Sequence, residues 1–255
     1  MRLFVVLLAA AALSAQERQV GQGVNFYSRE KEAVLGAQLA QELQQKTTSL
    51  DSAVVRDFVE QIGRSLAAQL PGPSISITFA VVTNQVGGPT HEPLSVPGGY
   101  IFVPASLILA ARNEAECAGM VGHAMAHVAE RHSTRLATGL LAARNHPNVP
   151  YIPLAFVGGW AAMPGGLETE ADLLAIKTTS AAGYDPTGLV LYISRTQTED
   201  SAGPKTFSSL PPRASRMAHM VKAIQGLPCK TYSSSDEFLR IQGEVRRLMS
   251  QLKFL

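Results

Sequence analysis

Between long runs of helical spacing, the apolar residues of this chain switch to a period of two. Ile75, Ile77 and Phe79 alternate with polar or small residues and lead into Val81 and Val82, which predicts a strand. Before it, Val34, Leu35, Leu39 and Leu43 predict an amphipathic helix over 28–43, with Ser28 and Glu32 near its start. A second helix is predicted over 52–70 from Val54, Val55, Phe58, Val59, Ile62 and Leu66, and Pro71-Gly72-Pro73 stops it. After turn material at Gly87-Gly88-Pro89, the run 94–103 is interrupted by Pro97-Gly98-Gly99 and reads as an edge strand or hairpin arm. A helix begins near Ala105, and Asn113 with Glu116 predicts a capped helix running to about Thr138. A helix over 168–182 ends at Gly183 with Pro186 beyond, and the remainder alternates helical segments with a break at 208–212.

With 255 residues and 46% apolar content, the chain can bury one substantial core, which predicts a single domain over 16–255. A formal net charge of +2 with no Lys/Arg run leaves no electrostatic case for nucleic acid. Arg2, the apolar run from Leu3 to Leu13 and small Ser14 and Ala15 read as a secretory signal peptide over 1–15, hence an exported, periplasmic or cell-envelope protein. The apolar stretch from Val149 to Met163 is too short and too proline-broken for a membrane span, which needs about 20 residues. Cys117 and Cys229 are the two cysteines, and an oxidising compartment permits them to pair. Cys117 lies in an apolar helical pattern and reads as a small buried hydrophobe.

His123 and His127 stand four apart on one predicted helix, so both imidazoles project from one face and can grip one metal ion. Gly119 and Gly122 thin the neighbouring helix surface, so that another element can approach. Downstream, Glu168 and Asp172 are also four apart. One carboxylate can bind metal while the other orients a ligating histidine, although an acidic helix start is ordinary in itself. Two histidines, a glutamate and a water complete a tetrahedral zinc site.

The stretch Asn113-Glu114-Ala115-Glu116, then His123-Ala124-Met125-Ala126-His127 and Arg131-His132, resembles the signature of the BepA/HtpX zinc metallopeptidases, the family that also contains the CAAX prenyl proteases. Four further stretches agree in order: 28–36, Pro97-Gly98-Gly99-Tyr100-Ile101, 168–172, and Ala182-Gly183-Tyr184-Asp185-Pro186. The resemblance covers about 25–220. It implies an α+β, mostly helical, zincin-like domain with a small sheet bordering the active-site cleft. It also implies one zinc ion on His123, His127 and Glu168, with Asp172 behind a ligand.

Two positions depart from that family. Its motif is His-Glu-x-x-His, and its glutamate takes a proton from the attacking water and passes it to the leaving amine. Here the position is Ala124, which accepts no proton, and such catalysis contributes about 100- to 10,000-fold. Where the family has Thr-His-Pro near the metal, this chain has Ser209-Leu210-Pro211, a degenerate regulatory position, while Arg216 still matches the arginine that follows. The departures favour a protein with lost or strongly reduced proteolysis that keeps zinc and a cleft for unfolded or extended polypeptide, envelope proteins among them. The alternative is an active peptidase with another base. Of Glu92, Glu116, Glu130 and Glu170, Glu92 is the best placed, because it precedes the Pro97-Gly98-Gly99 stretch. Glu116 and Glu130 lie too far along the helix, and Glu170 faces away from Glu168.

Overall fold

A computed structural model describes residues 21, 23–83, 91–143, 165–197, 213–228 and 235–252. The signal segment 1–15, most of the apolar stretch 145–166, Leu210 and Cys229 lie outside the described residues. Among those residues the chain is mostly helical with one small sheet, the α+β architecture that the resemblance implies. None of the described helices is long and apolar enough to cross a membrane.

The sheet has the order β1 (Thr78–Val82), β3 (Tyr100–Pro104), β2 (Leu94–Val96). Its alternating residues serve two cores. Phe79, Val81, Ile101 and Val103 face the main core, whereas Val82 and Phe102 face a smaller one with Leu35, Leu39 and Leu43. These leucines belong to α1 (Arg29–Lys46), whose N-cap Ser28 accepts from the Lys31 N–H. The other face of the sheet packs on α2 (Ala53–Ala67), again capped by a serine, Ser52. The run 94–103 is thus a hairpin with Pro97–Gly99 as its turn. Its second half is the central strand, because β3 pairs parallel with β1 and antiparallel with β2. Gly98 turns there with φ 73°, and α1 comes so near that a Cβ on Gly36 would lie 1.8 Å from the Pro97 carbonyl oxygen.

The predicted helix from Asn113 to about Thr138 is two helices, α4 (Glu114–Ala129) and α5 (His132–Ala143), preceded by the short α3 (Ala105–Ala110). Arg131 between them has φ 58°, a left-handed conformation that costs a non-glycine residue about 1–3 kcal/mol. The surroundings impose it. Arg131 Nε donates to both Glu32 carboxylate oxygens at 3.0 and 2.9 Å, and its Nη2 donates to the Tyr27 carbonyl. Apolar periodicity carries no trace of these contacts, since they join residues about a hundred positions apart in sequence.

Helix α4 is the central column. Fourteen of its residues are buried, and it packs on α6 (Gly165–Ala181) and α7 (Thr187–Thr196). The two glycines read from the sequence admit different partners. A Cβ on Gly122 would meet Thr179 and Ala175 of α6 at 3.2 and 3.8 Å, and one on Gly119 would meet the Leu189 backbone of α7 at 2.8 Å. Helices α8 (Arg213–Ile224) and α9 (Asp236–Leu252) complete the main core with Met220, Phe238, Ile241 and Val245. Cys117 is fully buried within it, and burial pushes its thiol up to about 12, as befits a packing residue.

Candidate metal centre

One turn of α4 separates His123 from His127, so their rings lie on one face, with Nε2 to Nε2 at 3.0 Å. Gly122 lets α6 settle beside them, and the first turn of α6 brings Glu168 into the same space. Its Oε2 lies 3.4 Å from His123 Nε2 and its Oε1 lies 3.6 Å from His127 Nε2. All three side chains are buried, so Glu168 is no solvated helix start. Glu168 Oε2 accepts no hydrogen bond and stands only at ion-pair distance from His123 Nε2 and Arg216 Nη2, 3.4 and 3.5 Å, which leaves its lone pairs open to a further cation. Two imidazole nitrogens and a carboxylate within 4.8 Å of one another are the donor set of a transition-metal or zinc ion, so the residues present fit such a group.

Asp172 follows Glu168 by one turn, and its Oδ1 lies 2.9 Å from His123 Nδ1, an ion-pair distance off the line of a well-aligned hydrogen bond. Arg216 of α8 closes the set from behind. Its Nε and Nη2 donate to the two Asp172 oxygens at 2.7 and 2.9 Å, and Nη2 also lies 3.5 Å from Glu168. The resemblance makes Arg216 a possible cleft residue. It is among the most buried side chains and meets the candidate metal ligands both through Asp172 and at Glu168 itself.

Burial opposes charge on every member, and their mutual contacts decide where the protons sit. For His123, burial lowers the pKa but Asp172 and Glu168 overcome it and hold the ring up to about 10. Burial pushes Glu168 and Asp172 up, yet His123 and Arg216 bring both down to about 2. His127 is driven well below its usual range, first by burial. These contacts favour a proton on His123 over one on His127.

Ala124, in the position of the family's glutamate, is buried with its methyl group in the main core. Of the four carboxylates weighed as replacements, Glu116 is engaged by the Arg112 N–H and by Arg195, and Glu130 by the Gly21 N–H and Arg135. Glu170 faces away from the three ligands, as its spacing implies, and meets His132 and Arg135. Glu92 differs. Its Oε1 is buried without a hydrogen bond, 3.6 Å from Arg216 Nη1, and its carboxyl is raised by burial despite that cation.

The spacing argument gave no role to His132. It is fully buried, with Nδ1 2.9 Å from His127 Nδ1 and Nε2 3.1 Å from Glu170 Oε2. On an unbroken helix, five residues after His127, it would point about 140° away. The left-handed Arg131 brings it back. A cavity of about 210 Å³ opens beside His127, lined by Val96, Pro97 and Gly98 of the hairpin and by Glu32, Ser74 and Arg131. The small sheet thus borders the space next to the ligands, as the resemblance implies.

Two comparisons with known proteins bear on the segment that carries these residues. Residues 94–146, which run from β2 into α5 and include His123, Ala124, His127 and His132, match the model of Peptidase family M48. Over 191 residues the chain is 23% identical to a protein of Vibrio cholerae serotype O1 named "Putative beta-barrel assembly-enhancing protease", an alignment that covers 65% of this chain and 38% of that protein. The chain thus spans less than half the length of that relative. The matched segment holds two of the three clustered His/Glu residues, His123 and His127, so the chain is similar to Peptidase family M48 where its candidate metal ligands lie.

Proposed function

We propose that this domain binds one zinc ion through His123, His127 and Glu168 and has lost most or all of its proteolytic activity, acting instead as a holder of unfolded or extended polypeptide outside the cytoplasm. The observation that carries this reading is the pairing of a complete ligand set with Ala124. All three donors converge, while the position that follows the first histidine offers a methyl group. A bound zinc ion would polarise a carbonyl or water oxygen in the open coordination position. The chain's own part is to hold the ion in place, with Asp172 and Arg216 orienting His123. Removal of the acid-base group forfeits about 100- to 10,000-fold of rate but leaves the binding surfaces of the site intact. The Vibrio cholerae relative is named for beta-barrel assembly, which supports envelope proteins as the client class. Export rests on the signal-like segment at 1–15.

The test is metal analysis of protein purified without added metal, alongside cleavage of casein with and without a chelator. One equivalent of zinc with no chelator-sensitive cleavage is the expected result. Chelator-sensitive cleavage by the unmodified protein would overturn the inactive reading. A second reading, an active peptidase that uses Glu92 as base, is favoured by one observation: the buried Glu92 Oε1 makes no hydrogen bond and stands only at ion-pair distance from Arg216. In that case Glu92→Gln abolishes the cleavage.

A further inference from the structure

We propose that His132 is a positioning residue that fixes the tautomer of His127, through a one-way chain of hydrogen bonds ending on Glu170. The inference rests on the metal-binding reading above and adds to it a residue outside the ligand set and its Asp172 support.

The direction of the chain follows from its far end. Glu170 Oε2 receives Arg135 Nη1 at 3.0 Å and faces His132 Nε2 at 3.1 Å, so it is an acceptor on both sides and the His132 hydrogen sits on Nε2. Neutral His132 then has a bare Nδ1. That atom is 2.9 Å from His127 Nδ1, and two bare nitrogens at this distance repel, so His127 carries its hydrogen on Nδ1. The Nε2 of His127 is left bare, and it is the atom that faces His123 Nε2 and Glu168. Were the chain to run the other way, His127 would point a hydrogen into the ligand set and could not coordinate.

The arrangement is built rather than incidental. His132 is fully buried, and both ring nitrogens are engaged. It reaches this place because Arg131 breaks the helix in a left-handed turn that Glu32 and Tyr27 hold from α1 and the segment before it. The far end, Glu170, stands two residues beyond Glu168 on the opposite side of α6, so one helix supplies a ligand and the terminus of the support of another ligand.

Two variants and two readouts test this. His132→Phe keeps an aromatic ring but offers no acceptor, whereas His132→Asn places a carbonyl oxygen near the position of Nδ1. Zinc affinity, measured by competition with a chromophoric chelator, should fall about 10- to 100-fold in His132→Phe and largely return in His132→Asn. Independently of zinc, nitrogen-15 spectra of labelled histidines in the metal-free parent should show His127 protonated on Nδ1. Glu170→Leu, which touches neither His127 nor zinc, should add the Nε2-protonated form. An unchanged affinity in His132→Phe, or Nε2 protonation of His127 in the parent, overturns the proposal. Should the parent bind no zinc, the metal reading fails by itself, and the His127 tautomer in parent and Glu170→Leu still decides the chain. If His132→Phe does not fold, Glu170→Leu carries both readouts.

Discussion

Asp172 and Arg216 form a two-point ion pair inside the core, at 2.7 and 2.9 Å, and the same carboxylate touches His123 at 2.9 Å. Each side chain of the pair is nearly sealed from solvent, so removing one partner strands a buried charge. Arg216→Met should therefore lower unfolding stability by about 3–5 kcal/mol. Asp172→Asn, which keeps the shape but loses the charge behind His123, should weaken zinc binding by about 10- to 100-fold. Urea unfolding and chelator competition separate the two effects. A stable Arg216→Met protein, or parent-like zinc affinity in Asp172→Asn, would show that the pair supports neither core nor ligand.

Zinc binding should depend on pH in a defined way. In the metal-free protein His123 keeps its proton up to about 10, while His127 is neutral and Glu168, held at about 2, is ionised. An incoming ion thus displaces one proton, and its apparent affinity should rise about tenfold per pH unit between about pH 7 and 9. The linked stability has a fixed sign. A histidine raised from 6.5 to about 10 stabilises the metal-free fold fully below its ordinary pKa, and that contribution is lost as pH rises through about 10. Equilibrium titrations at several pH values check the slope, and a pH-independent affinity would mean that His123 is already neutral. His127→Ala should abolish the binding altogether.

Restoring the family's glutamate should restore some chemistry. Ala124→Glu places a carboxylate immediately after the first ligand, and casein cleavage should appear where the parent shows none. The gain should be partial, because the methyl of Ala124 packs in the main core and the larger side chain must find room there. The double variant with Leu210→His should cleave faster than the single one. Folded, zinc-loaded variants without cleavage would mean that more than these two positions has been lost.

Close approach of α4 and α7 predicts a packing effect away from the metal. A Cβ on Gly119 would lie 2.8 and 2.9 Å from the Leu189 backbone, and one on Gly188 would lie 2.4 Å from the Ala115 carbonyl oxygen. Backbone cannot yield as a flexible side chain does, so Gly119→Ala should cost about 1–3 kcal/mol. Calorimetry of the variant gives the answer, and an unchanged melting temperature would refute the interlock.

The sequence by itself determined the helices with strong period, with Ser28 and Ser52 at the starts of the first two, the Asn113 cap and the ligand candidates. These are local properties. Capping spans three residues and a ligand pair spans one turn, so the information lies within a short window. What only the tertiary structure decided was set by contacts distant in sequence. The break at Arg131 depends on Glu32 and Tyr27, the central place of β3 depends on its parallel pairing with β1, and the joining of His132 to His127 depends on that break. A left-handed residue in a helical pattern is locally unfavourable. It persists because a buried carboxylate from another helix holds it there, and no reading of the neighbours of Arg131 along the chain contains that carboxylate.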